Sequence, residues 1–182
     1  MGAIVVIAGV LLVAFFWWRW NLRLSRTRGR VEEAWQELAE ALAARIRALE
    51  TLLEALRAAG YVPEGQARLR EALDAFRRAQ GEGPRVQAEA DDRVQTVLRQ
   101  IYRALPRERT AEVRAAQNGL AEADEELDIA RNRYNDLALG WFDLTRGFPY
   151  RWIVRLKKLP SPELFLLRSQ EEEFGRRHMP MP

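Results

Sequence analysis

Side chains able to do covalent or acid–base chemistry are scarce in this chain. Its 182 residues include no cysteine and one histidine, His178. Without cysteine there are no disulfides, thiolate metal sites or thiol nucleophiles. A lone histidine beside Met179-Pro180-Met181-Pro182 supplies neither the Glu-x-x-His pairs of a di-iron bundle nor a histidine-based hydrolytic triad. Gly81-Glu82-Gly83-Pro84 lacks the lysine and the length of a phosphate-binding loop. Glu122, Asp124, Glu125, Glu126 and Asp128 form an acidic cluster. Such a cluster reads more readily as a solvated helix face paired with arginines than as a cation site. No catalytic, cofactor-binding or metal-binding residue is assigned. The chain reads as non-enzymatic, with an enzyme of unrecognised type as the weakest alternative.

What the chain does carry is the chemistry of a lipid boundary. Residues 1–18, MGAIVVIAGVLLVAFFWW, hold no charged side chain. Residues 19–30 hold five arginines, Arg19, Arg23, Arg26, Arg28 and Arg30, and no acid. As a helix the eighteen uncharged residues span about 27 Å, close to the hydrocarbon core of a bilayer. Trp17, Trp18 and Trp20 cluster at one end, where indole rings favour the membrane–water interface. A cleaved secretory signal has its basic stretch before the apolar run and small residues after it, the reverse of this order. A buried core helix seldom runs uncharged for so long. The pattern predicts a single-pass anchor in a cell membrane. By the positive-inside rule the N-terminus lies outside and the bulk of the chain in the cytoplasm.

Charge is distributed in blocks. Residues 31–145 contain 16 basic and 22 acidic side chains, a net of −6. A second basic block follows at 146–159, with Arg146, Arg151, Arg155, Lys157 and Lys158 and no acid. In Tyr150–Leu159, Trp152, Ile153, Leu156 and Leu159 recur at helical spacing among these cations, which predicts a short helix laid against anionic headgroups. A cap on the end of a helical bundle is the competing reading of the same stripe. The membrane-surface residues are therefore Arg19, Trp20, Arg23, Arg26, Arg28, Arg30, Arg151, Trp152, Arg155, Lys157 and Lys158. Their partners are anionic membrane lipids and unidentified proteins, self-association included. A membrane-tethered nucleic-acid-binding protein is the alternative, but two short basic blocks are not the extended stripe such binding uses.

Behind these surfaces the sequence reads as helices. Val31, Trp35, Leu38, Leu42, Ile46, Leu49, Leu53 and Leu56 step by threes and fours, as one long amphipathic helix does. Gly60 suits its C-terminus and Pro63 the start of a second helix burying Leu69, Leu73 and Phe76. Gly81 and Gly83 close that helix. Pro84 opens a third, with Val86, Ala90, Val94, Val97, Ile101 and Leu105 inward, stopped by Pro106. The fourth carries a heptad stripe from Val113 through Ala116, Leu120, Ala123, Leu127, Ala130, Tyr134, Leu137, Trp141 and Leu144 to Phe148, which implies a coiled-coil-like supercoil with a neighbour. Asn118-Gly119 is a candidate bend within it. No segment alternates with period two. The expected fold is all-α: an anchor (1–20), an Arg-rich junction (21–30), an antiparallel up-down-up-down four-helix bundle (31–148), and a basic-aromatic helical segment with a tail (149–182).

Ala130-Arg131-Asn132-Arg133-Tyr134-Asn135, Phe142-Asp143 and Phe148-Pro149 resemble the signature of the LemA family. In that family an "AR..YN" block on the last long helix precedes an aromatic-Asn pair and a Phe-Pro. Val31-Glu32-Glu33-Ala34-Trp35 is similar to the opening of the family's first long helix. The order of parts matches over nearly the whole chain, although the second pair ends in Asp143 and Arg45–Leu49 lacks the family's proline. The resemblance implies a bacterial membrane-anchored helical scaffold, with Val31, Trp35, Ala130, Arg131, Tyr134, Asn135, Phe142, Asp143, Phe148 and Pro149 as its motif residues. It implies no settled biochemical activity. On the stripe itself, Tyr134 and Trp141 read as core residues. Asn135 and Asp143, which share roughly one face, read as hydrogen-bonding the chain where it turns at Phe148-Pro149.

Overall fold

The computed structural model describes residues 2–166, without the side chains of residues 3–6. His178 and the rest of the tail beyond Leu166 lie outside the described residues. Five helices account for most of this length: α1 (Gly2–Ala58), α2 (Pro63–Ala79), α3 (Pro84–Ala104), α4 (Ala111–Arg146) and α5 (Tyr150–Lys157). No strand occurs among the described residues.

The apolar segment, the Arg-rich segment and the first amphipathic stretch form one unbroken helix, α1, of 57 residues. No glycine-proline break or capping residue interrupts it, and at 1.5 Å per residue it is about 85 Å long. Gly60 ends it at φ +68°, with Gly60 N–H donating to Arg57 O and Tyr61 N–H to Leu56 O. This is the paired closure that a left-handed C′ residue allows, and glycine adopts it without a Cβ penalty. Pro63 and Pro84 stand at the first positions of α2 and α3, where a missing N–H costs nothing. The Thr110 hydroxyl caps α4 by accepting from Val113 N–H.

α1 and α4 pack along one another in opposite directions. Trp35 faces Tyr134, Glu37 pairs with Arg133, and Arg45 pairs with Asp124, so numbers across the pair add to about 170. α2 packs on α3, α1 also touches α2, and α5 rests against both α4 and α1. The core they share runs from Leu24 through Leu38, Leu49 and Leu56 to Phe76, Ile101, Leu120 and Trp141. It therefore reaches into the Arg-rich segment: Leu24 is buried and Trp20 packs against the cluster.

The expected pattern changes at several positions; Leu52 and Leu98 are buried where Leu53 and Val97 were expected, and those two are half-buried. The buried stripe of α4 leaves the heptad after Leu127, passing through Arg131 and Ala138 while Ala130 and Leu137 are half-buried. A helix of 3.6 residues per turn drifts about 20° per heptad, so a straight helix shifts its buried face in this way. Val86 is 46% exposed; Gln87, Ala88 and Asp91 occupy the inward face of α3 in its place. Phe148 lies beyond the end of α4 and is 81% exposed, so it is not a seam residue. Asn118-Gly119 sits inside continuous helix.

Candidate functional site

Two surfaces stand out, and both lie toward the N-terminal half of α1. The first is the free half of α1. From Ile7 to Trp18 every side chain is exposed, including Leu11, Phe15, Phe16, Trp17 and Trp18. A helix of this composition is ordinarily buried; among the described residues, none covers it from Ile7 to Trp18. Near its N-terminus α1 is long and apolar enough to cross a membrane.

The second surface is α5 and its approach. Since residue numbers across the α1–α4 pair add to about 170, Arg146 at the end of α4 stands opposite the buried Leu24. α5 thus begins beside the Arg-rich segment. Its apolar residues split between two faces. Ile153 is fully buried, with Val154 and Leu159 packed against the core. Trp152 and Leu156 point outward one turn apart on α5, 72% and 73% exposed, and Phe148 in the turn before the helix is exposed too. So Trp152, Ile153, Leu156 and Leu159 do not form the one apolar face expected of them: Ile153 and Leu159 pack on the core, and Trp152 and Leu156 face away from it. Arg19, Arg23, Arg26, Arg28, Arg30, Arg151, Arg155, Lys157 and Lys158 are all exposed, and none forms an ion pair among the described residues. Trp20 alone of the expected surface residues is half-buried, against the core.

The motif residues of α1 and α4 build something the sequence did not announce. Lys158, at φ +49°, closes α5 and turns the chain back along α1 and α4. Residues 159–166 then run as an extended strap. The Tyr134 hydroxyl donates to Glu163 O at 2.6 Å. The Asn135 amide donates to Phe165 O and accepts from Phe165 N–H, both at 2.9 Å, as a neighbouring strand would. The Phe165 ring is fully buried. So Asn135 holds Phe165, thirty residues on, and not the turn at Phe148-Pro149; Asp143 is exposed. Leu164-Phe165-Leu166, an apolar trio after Pro160-Ser161-Pro162, was the available signal in the sequence.

Around this clamp Trp35 and Tyr134 pack with ring centroids 5.4 Å apart, and Val31 and Trp141 are buried beside them. Tyr134 and Trp141 are core residues, as their place on the stripe requires. Burial, and secondarily the Glu163 carboxylate, push the Tyr134 phenol up to about 12. Arg131 is buried along its stem and reaches Asp128 at 3.1 Å. Ala130 and Phe142 are half-buried and Pro149 stands at the N-cap of α5.

Of the acidic cluster of α4, Asp124 and Asp128 form ion pairs among the described residues, and Glu122, Glu125 and Glu126 are exposed. Asp124 accepts from Arg45 Nε at 2.5 Å, and the Arg45 guanidinium also pairs with Asp91 of α3. Arg45 and Asp91 are both almost wholly buried, so one arginine ties α1, α3 and α4 together. Arg47, on the opposite side of α1, is exposed. No group of three or more metal-ligating side chains occurs among the described residues. No family model and no curated protein matches this chain.

Proposed function

We propose that this chain is a single-pass membrane-anchored scaffold, LemA-like in plan, whose four-helix bundle works at the cytoplasmic face through lipid and protein contacts without catalysing a reaction. One observation carries the reading: an apolar helix exposed on all sides runs without a break into a packed helical domain. Such a surface is tolerable only in lipid or against another protein. The continuity also means that the anchor and the domain move as one rigid rod, so the end of the domain is held at a fixed distance from the bilayer. Trp17, Trp18 and the arginines that follow then lie at the headgroup level. Phe148, Trp152 and Leu156 add a second contact there, with each nearby cation worth about 1 kcal/mol against an anionic leaflet.

Topology tests the reading. A reporter active only in the cytoplasm, fused after Pro182, is expected to be active. Replacing Arg19, Arg23, Arg26, Arg28 and Arg30 with glutamine should reduce that activity by loosening orientation. An inactive wild-type fusion with the protein still in the membrane fraction would reverse the proposed topology.

A further inference from the structure

A cavity of about 360 Å³ lies where the strap crosses α1 and α4. That is within the range of pockets that take small ligands or short peptide segments. Its floor is aromatic, from Trp35, Tyr134 and Trp141, and Pro84, Pro160 and Pro162 form a wall. Arg28 and Glu32 lie on its rim.

Three features of this cavity point to one kind of occupant. The indole N–H of Trp141 is buried and has no hydrogen-bond acceptor among the described residues. A buried donor in that condition is costly and calls for a carbonyl or similar acceptor. The strap that lines this cavity together with the aromatic floor is itself a Pro-x-Pro run without regular secondary structure, Pro160-Ser161-Pro162. An extended proline-rich segment keeps its carbonyls free of internal hydrogen bonds and packs its rings on aromatic side chains at little entropic cost. Finally, carboxylates outnumber cations on the rim: Glu32 and Glu163 are exposed and form no ion pair among the described residues, against Arg28 alone.

We infer that this cavity binds an extended, proline-rich, basic peptide segment of a partner protein. A peptide carbonyl accepts from Trp141 Nε1, proline rings rest on Trp35, and a lysine or arginine faces Glu32. The Trp141 N–H is shielded in the closed structure, so the incoming segment displaces Pro160-Ser161-Pro162, and the strap acts as a competitor in the same chain. This deepens the protein-binding half of the proposed function and is independent of the anchor: peptide binding can fail while the topology holds, and the reverse.

The test uses the full chain in lipid nanodiscs and the acetylated peptide amide Arg-Pro-Pro-Ala-Pro-Arg. The six tryptophans give six indole N–H signals, with Trp141 and Trp35 assigned by their phenylalanine variants. The peptide is expected to shift the Trp141 and Trp35 signals, and an analogue with alanine in place of every proline should not. Glu32→Gln should weaken binding about two- to fivefold, as loss of one exposed charge pair does. Asn135→Ala, which loosens the strap, should tighten it several-fold. No shift at millimolar peptide, equal binding of the alanine analogue, or shifts confined to Trp17, Trp18, Trp20 and Trp152 would each overturn the inference.

Discussion

Arg45 offers the sharpest test of how the helices are tied together. It is 2% exposed and its two ion-pair partners come from different helices, Asp91 on α3 and Asp124 on α4. Replacing it with methionine keeps most of the stem but removes the charge. Asp124, whose side chain is 45% exposed, can turn to water at little cost. Asp91 cannot, being 1% exposed with one remaining neutral donor, Gln95 Nε2 at 3.2 Å. Stranding a buried charge in this way costs about 3–5 kcal/mol, a large part of the roughly 5–15 kcal/mol that holds a domain together. At about 2–4 °C per kcal/mol for a chain of this size, Arg45→Met should lower Tm by about 6–20 °C. Removing the stranded charge as well, in Arg45→Met with Asp91→Leu, should return stability to within about 1 kcal/mol of wild type. Circular dichroism during urea and thermal unfolding of residues 19–182, which keep Trp20 and Leu24, would read both numbers. If Arg45→Met costs under about 1 kcal/mol, or the double variant is no better than the single one, the buried pairing is not what joins α1 to α3.

Tyr134→Phe deletes the bond to Glu163 O and should cost about 0.5–1.5 kcal/mol at neutral pH. The Tyr134 phenol is raised from 10.0 to about 12 by burial and then by Glu163, so the fold favours its neutral form. That contribution is present below about pH 10 and is lost as pH rises toward 12. The stability gap between wild type and Tyr134→Phe should therefore narrow across that window; a constant gap would contradict the assignment. Thr110→Ala, which removes the cap on Val113 N–H, should cost about 1 kcal/mol in the same unfolding assay. The Glu112 backbone N–H and then the Thr110 hydroxyl hold the Glu112 carboxyl below its ordinary range, so the same variant should raise its titration midpoint by NMR. No movement would place the Glu112 shift elsewhere.

Helix ends were legible because a few residues decide them alone. Gly60, Pro63 and Pro84 each act where they stand, and each does so in the structure. The exposed apolar helix near the N-terminus was legible for a similar reason, since an uncharged run of that length needs no tertiary information to be read. What was hidden depends on partners far away in sequence. Arg45 and Asp91 look like ordinary surface charges until α1 and α3 bring them together. Asn135 looked ready to hold the nearby turn, but the backbone that fits its amide belongs to Phe165. Ile153 and Trp152 are neighbours of similar apolarity, and only the position of α5 against α4 sends one inward and the other outward. The α4 stripe was misread at Ala130 and Leu137, where Arg131 and Ala138 are buried instead, because a strict heptad was carried through a helix whose buried face drifts.

In the proposed arrangement the first turns of α1 lie in lipid, the rest of the chain stands in water and α5 sits at the boundary. The absence of cysteine makes this directly measurable, because a single introduced thiol is the only labelling site. Spin labels at Leu11→Cys, Leu156→Cys and Glu125→Cys in the full chain, reconstituted in anionic nanodiscs, report depth by their relative exposure to oxygen and to a water-soluble nickel relaxant. The account predicts a label at position 11 that only oxygen reaches, a label at 125 open to nickel, and one at 156 between the two. A water-exposed label at position 11 would contradict it outright, and a label at 156 as wet as that at 125 would remove α5 from the membrane surface.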